Sequence, residues 1–331
     1  MHPSVLKAKN VIKGIFPASM YQQLRENILL RHYVKKFRLK HARYRNIVYF
    51  VIDPHRTHPG LADRIKAIIN TYNWAKKNGL EFKLIFNTPF NLEEFLLPNM
   101  PWNGVTLNDL EYSIFDTRFI SEDKLAKEGN AYCDTQEHRI SIKKKQLHCY
   151  HYSGNILPER FDDTGYLWKD LFNELFSFNN SIQQSYNGLN IAKPYIAVHA
   201  RFVNALENFE NSDYGSYLQS DEEKSKLIQK CKNALCEIAS ENPEYDVYMF
   251  SDSKVFLENI SELSVRTLDT KNIGHISESS TSTYNKTFLD LYAISRASKV
   301  YMLSTTELYR SSCFAKLGAR IGGIPFYIKE F

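Results

Sequence analysis

Short apolar runs that alternate with helix-period segments constrain this chain more than any other feature. Asn46-Ile47-Val48-Tyr49-Phe50-Val51-Ile52 reads as a buried strand and ends in the turn-rich Asp53-Pro54-His55-Arg56-Thr57-His58-Pro59-Gly60. Over residues 61–77, apolar side chains recur at 61, 65, 68, 69, 72 and 75, the period of a helix. Asn78-Gly79 closes that helix, because glycine reaches the left-handed conformation without a Cβ penalty. Phe82-Lys83-Leu84-Ile85-Phe86 follows as a second strand. Strand, helix, strand with a crossover of this length predicts parallel pairing.

The second half repeats the pattern. Strands are expected at 195–198, 246–250, 265–268, 299–303 and 325–328, and helices at 222–240, from 254, at 287–296 and from 304 to 317. Between the halves lie loops, a short strand at 139–142, a helix over 168–176 and an Asn-rich stretch at 178–190 that reads as a boundary. The expected class is α/β. Two Rossmann-like domains, 47–188 and 189–331, face each other across a cleft in a GT-B-like arrangement, preceded by a basic helical extension over 1–46. A chain of 331 residues is long enough to give each domain its own core.

Residues 1–46 hold eleven Lys/Arg and one acid, a local charge of +10 against +5 for the whole chain, so the basic character is confined there. Helical phasing over 29–38 sets Leu29, Leu30, Tyr33, Val34 and Phe37 opposite Arg31, Lys35, Lys36 and Arg38. Such a helix suits an anionic membrane surface, or it packs on its own domain with a solvated basic face. Nothing outside this segment points to nucleic acid. No apolar stretch reaches the roughly 18 residues of a membrane span, and no signal-peptide core is present. Five cysteines with neither metal-ligand spacing nor an even count read as free thiols, which suits a reducing, cytoplasmic setting, peripheral on the inner face of a membrane if the basic helix docks there.

Polar groups at the strand exits of the second half carry the chemistry. His199-Ala200-Arg201 follows one strand, Ser251-Asp252-Ser253 the next, and Ser304-Thr305-Thr306-Glu307 a third. Ligands of open parallel sheets sit at such carboxyl ends. Arg201 suits a bidentate contact to a diphosphate, and His199, two residues earlier, faces the same side. Asp252 suits a nucleoside contact or a helix cap. Residues 304–307 match the S/T-x-x-E capping box, whose helix start would offer free amides to phosphate. Glu207 and Glu210, on the loop after Arg201, are the nearest carboxylates for a general base, with solvated loop charges as the alternative. Asp162-Asp163 is a lone acidic pair, so no metal or other cofactor is expected.

His199-Ala200-Arg201, Asp252 and Phe288-Leu289-Asp290-Leu291-Tyr292-Ala293-Ile294-Ser295-Arg296-Ala297 with its Ser/Thr sequel resemble the α1,6/α1,2/protein-O-fucosyltransferase superfamily. The nodulation-factor group is the nearest likeness, and Gly60-Leu61-Ala62-Asp63-Arg64-Ile65 looks like its first loop. The resemblance covers roughly 47–86 and 190–322. It implies an inverting GT-B transferase that uses GDP-fucose without metal and acts on a glycan or lipid-linked acceptor. By position, Arg201 would grip the β-phosphate and His199 would support the donor. Asp252 and Asp290 would contact guanosine or order its loop. Ser304, Thr305 and Thr306 would meet phosphate, while Gly60 to Asp63 would close from the other domain. The chain departs from the pattern at Phe202, where a second arginine is usual, at Ala62 for glycine, and at Asn204, Ala205 and Leu206 in place of an acid and a lysine. Another nucleotide-sugar donor, or a non-catalytic adaptor on the same fold, therefore stays open.

Overall fold

The structure is a computed structural model that describes residues 33, 35–52, 58–120, 145–150, 157–191, 194–207, 216–268, 273 and 280–331. β1 (Ile47–Ile52) is buried along its whole length, as expected of an inner strand of a parallel sheet covered on both faces. It leads into α1 (Leu61–Lys77), with Asp63 in the first turn and Lys76 and Lys77 in the last, each at the favourable end of the helix dipole. The helix stops as its sequence predicts. Gly79 takes φ +64°, its amide donates to the Lys76 carbonyl, and the Leu80 amide donates to that of Ala75, a Schellman closure. β2 (Glu81–Phe86) then pairs parallel to β1. Further on come β3 (Leu96–Pro98), β4 (Thr117–Ile120) and β5 (Gln146–Cys149). The first sheet runs β2-β1-β5-β4, all parallel.

α2 (Trp168–Leu175) runs into β6 (Phe176–Phe178), which pairs antiparallel with β3. The Asn-rich stretch read as a boundary is ordered structure. It holds α3 (Asn180–Asn187), capped by the Asn179 side chain, which accepts from the Ile182 amide at 2.8 Å. The short strand expected at 139–142 lies outside the described residues.

The second sheet is built from β7 (Tyr195–Ala200), β8 (Asp246–Ser251), β9 (Arg266–Thr267), β10 (Lys299–Ser304) and β11 (Phe326–Glu330). Its order is β11-β10-β7-β8-β9, again all parallel. Progress from β7 outward through β8 and β9, then back to β10 on the other side of β7, is the doubly wound Rossmann order, with its switch point between β7 and β10. The connecting helices are α4 (Asp221–Glu241), α5 (Lys254–Asn259), α6 (Thr281–Arg296) and α7 (Phe314–Gly322).

Two corrections to the sequence reading matter for the site. The Ser/Thr-rich segment before residue 287 is not all loop, since α6 begins at Thr281. Hydroxyls that compete with the helix in a free chain are tied back into it here, as with Thr287 Oγ1, which donates to the Thr283 carbonyl at 2.9 Å. No helix starts at the Ser304 capping-box motif; α7 starts only at Phe314. Glu307 is drawn instead to the hydroxyls of Thr305 (2.6 Å) and Thr306 (2.7 Å) and to Lys230 Nζ (2.9 Å), which closes a turn.

The core around the first sheet also takes in Tyr284, Phe288, Leu291, Leu317 and Ile321 from α6 and α7. Phe288 stacks flat on Phe95 at 4.4 Å between centroids, and Tyr284 packs on Phe90 at 4.7 Å. α6 and α7 meet closely because glycine faces the contact twice. A Cβ at Gly318 would lie 2.4 Å from Ile294 Cγ2, and one at Gly322 would lie 2.2 Å from the Ser295 carbonyl oxygen. Of the basic N-terminal segment, residues 1–32 and 34 lie outside the described residues. Tyr33 is buried in the outer face of the first sheet, with Phe37 packed beside it. These two members of the apolar stripe therefore serve the protein's own core, and the packed alternative holds for them.

Candidate functional site

Helices that follow strands in a parallel sheet start at its carboxyl edge, so the starts of α1, α6 and α7 lie at strand ends. There the three polar groups singled out from sequence converge. Arg201, one residue past β7, sits with Nη1 3.2 Å from Asp252 Oδ2. The Asp252 carboxylate also accepts the amides of Phe202 (2.8 Å) and Val203 (2.7 Å). Burial pushes the Asp252 carboxyl above the ordinary range, while Arg201 and the two amides pull it back. Val203 holds a φ of +57°, unusual for a β-branched residue, and its amide bond to Asp252 helps to hold that turn. Asp252 is thus a clamp on the β7 exit rather than a helix cap. The cap of α5 is Ser253, which accepts from the Phe256 amide at 3.1 Å.

The third group is tied to the first, because the Tyr309 amide donates to the Arg201 carbonyl at 2.9 Å. Ser304 and Thr305 are buried, and Thr306 is exposed. Two hydroxyl donors and Lys230 pull the Glu307 carboxyl down to about 2. Glu207, proposed from sequence as a base, accepts Ser253 Oγ (2.8 Å) and the Val255 amide (3.2 Å) on Oε1, so it also anchors the start of α5. Glu210 lies outside the described residues.

His199, at the β7 end of the pairing with β10, is buried and its Nδ1 has no hydrogen-bond partner. Burial, with Arg201 and Lys286 adding positive charge, lowers its ring to about 3. It is a neutral imidazole with an unused nitrogen, its ring centroid 5.7 Å from that of Phe314 at the start of α7.

Sequence reasoning missed two lysines. Lys286, 9% exposed on α6, bonds Asp290 Oδ2 at 2.5 Å. Lys66, 2% exposed on α1, bonds Asp63 Oδ1 at 2.7 Å and lies 4.0 Å from Cys313 Sγ, the residue that precedes α7. Asp63 and Asp290 thus hold buried cations. A lysine this deeply buried is rare without a pairing role. The signal was present in Asp63–Lys66 and Lys286–Asp290 as i,i+3 and i,i+4 pairs, which on an exposed helix face would be routine. Gly60 caps α1 at φ −59°, and a Cβ there would meet nothing within 4 Å. Its lack of a side chain therefore leaves open space at the helix start rather than meeting a backbone need.

Among the described residues no group of three metal-ligand side chains occurs. A separate cavity of about 390 Å³, lined in part by Lys169, Phe172, Tyr292, Arg296 and Gly322, lies at the opposite ends of α6 and α7 and includes none of the residues above.

No model of a known protein family matches the chain, and no curated protein matches it. Solved structures do. The crystal structure of NodZ α-1,6-fucosyltransferase soaked with GDP-fucose aligns with a TM-score of 0.54 at 12% identity, covering 84% of this chain and 93% of that one. POFUT1 in complex with GDP-fucose aligns at 0.43 and 12% identity, covering 86% and 97%. The first of these likenesses defines the class by fold. The chain is a mixed α/β protein with two parallel sheets, of the GT-B type found in fucosyltransferases.

Proposed function

We propose that the protein is a glycosyltransferase of the fucosyltransferase type. It transfers a sugar from a nucleoside diphosphate donor, GDP-fucose in the favoured reading, to a glycan or lipid-linked acceptor, with inversion and without a metal. The observation that carries the reading is Arg201, oriented by Asp252 at the switch point of a Rossmann sheet and bonded through its carbonyl to the hydroxyl-bearing turn on the neighbouring strand. A guanidinium set at a strand exit stabilises the charge that a departing nucleoside diphosphate develops. The amides at the start of α7 and the unused His199 nitrogen supply further donors on the same edge. Lys66 and Lys286 bring positive charge from α1 and α6. Inversion requires a base for the acceptor hydroxyl. Glu207 and Glu210 fill that role by position in the sequence, and Glu207 keeps Oε2 for it.

Two measurements test the proposal. A thermal-shift panel of GDP-, UDP-, CMP- and dTDP-sugars is expected to single out the GDP-sugar. Arg201→Ala is expected to lower kcat/KM about 10²–10³-fold, the usual effect of removing one donor to a developing anion. Unchanged turnover in that variant, or no response to any nucleotide sugar, would refute the reading.

A further inference from the structure

The amino edge of the first sheet bears a surface that the candidate site does not use. Residues 38–45 cross this edge ahead of β1. The Arg38 amide donates to the Tyr112 carbonyl at 2.7 Å, and the Ile114 amide donates to the Arg38 carbonyl at 3.2 Å. That pairing sets Leu39 beside Ile114 and Phe115. Leu39 is 83% exposed, Phe115 44% and Ile114 43%, with Tyr44 at 61% on the same edge. Around them stand Lys35, Arg38, Lys40 and Arg43, all exposed, and Lys145, whose Nζ bonds the Phe115 carbonyl at 2.5 Å.

The carboxylates of this edge are already engaged. Glu111 accepts the Arg43 side chain and the amides of Arg43 and Tyr44, and Asp116 accepts His41 and the Ala42 amide with Arg45 at 3.7 Å. Among the described residues Lys35 and Lys40 carry no ion pair. Residues 33–46 contain six Lys/Arg and no acid. What remains outward is protruding apolar and aromatic side chains within a field of positive charge. An aromatic and apolar wedge rimmed by cations matches the interfacial zone of an anionic bilayer, where rings sit at headgroup level and Lys/Arg meet lipid phosphate and carboxylate.

We propose that this edge is a docking surface for an anionic lipid bilayer, with Leu39, Ile114 and Phe115 inserted and Lys35, Arg38 and Lys40 at the headgroups. The contact is thereby moved from the amphipathic stripe containing Tyr33 and Phe37, which the core occupies, to the loops beside it. Docking by this edge uses none of the candidate-site residues, and it does not depend on which sugar is transferred.

The test is flotation of the full-length protein with vesicles of phosphatidylcholine, with and without phosphatidylserine, at low and high salt. Binding is expected only with phosphatidylserine, weakening as salt rises. The double variant Leu39→Glu, Phe115→Glu is expected to bind at least about tenfold more weakly at an unchanged melting temperature, both side chains being exposed. Equal binding by that variant overturns the proposal. So does equal binding to phosphatidylcholine alone, or no binding to either vesicle, which would leave the edge to a protein partner.

Discussion

Each sheet buries one histidine near its middle, and the two are treated in opposite ways. His148 on β5 is satisfied at both nitrogens, Nδ1 by the Tyr33 hydroxyl and Nε2 by Gln146 Oε1, each at 2.5 Å. His199 on β7 is equally buried, yet its Nδ1 has no partner. Burial holds both rings near 3, so both are neutral at physiological pH. A buried polar atom without a partner costs free energy. The first histidine fastens the chain ahead of β1 onto its sheet. The second leaves a buried nitrogen unpaired at the end of β7, two residues before Arg201.

The largest effect is expected where the second sheet's edge is held together. Asp252→Ala leaves Arg201 and the Phe202 and Val203 amides without their acceptor and should lower unfolding stability by about 3–5 kcal/mol, as breaking a buried pair does. Denaturant unfolding reads this directly, and a loss below about 1 kcal/mol would mean that the clamp is not preformed. Next, His148→Ala removes the buried partner of the Tyr33 hydroxyl, leaves a cavity, and should cost about 2–3 kcal/mol. His199→Gln should cost under about 1 kcal/mol while weakening nucleotide binding. Reversal of that order in parallel melts and titrations would undo the comparison.

A pH series sharpens it further. Each histidine stays neutral in the fold but takes up a proton near pH 6.5 once unfolded, so acid favours the unfolded chain. The stability is complete above about pH 6.5 and is lost as pH falls towards 3, by about 1.4 kcal/mol per pH unit for each ring. Denaturation at pH 7, 6 and 5 should show the slope, and either histidine variant should make it shallower. The smallest effect belongs to Gly60→Ala. With an ordinary φ and open space for a Cβ, it should move stability by less than about 0.5 kcal/mol, yet raise the KM for donor if α1 closes over it.

The strands and α1 were legible because their signals are local: apolar runs of strand length, a helix period, and a glycine where the chain must turn left-handed. The convergence of Arg201, Asp252 and the Ser304–Thr306 turn was legible from their shared place at strand ends. What misled was chemistry with two local solutions. The Ser304–Glu307 motif offers a capping box, but Lys230, 77 residues away, and the Arg201 carbonyl favour a turn. Serine and threonine before residue 287 compete with the helix until tertiary packing of Tyr284 and Phe288 decides for it. Lys66 and Lys286 showed only i,i+3 and i,i+4 pairing with Asp63 and Asp290, as an exposed helix face does too, because only the approach of α1 to α7 and of α6 to the second sheet removes them from water.

The stacking of Phe288 on Phe95 has a consequence for how the chain comes apart. Rings from α6, a helix that leads into β10 of one sheet, complete the oily interior beneath the other, so the first sheet loses its sealed interior when the second melts. Heating should therefore give one cooperative heat-absorption peak, and a nucleotide held at the second sheet should slow amide exchange in β1 as well as in β7.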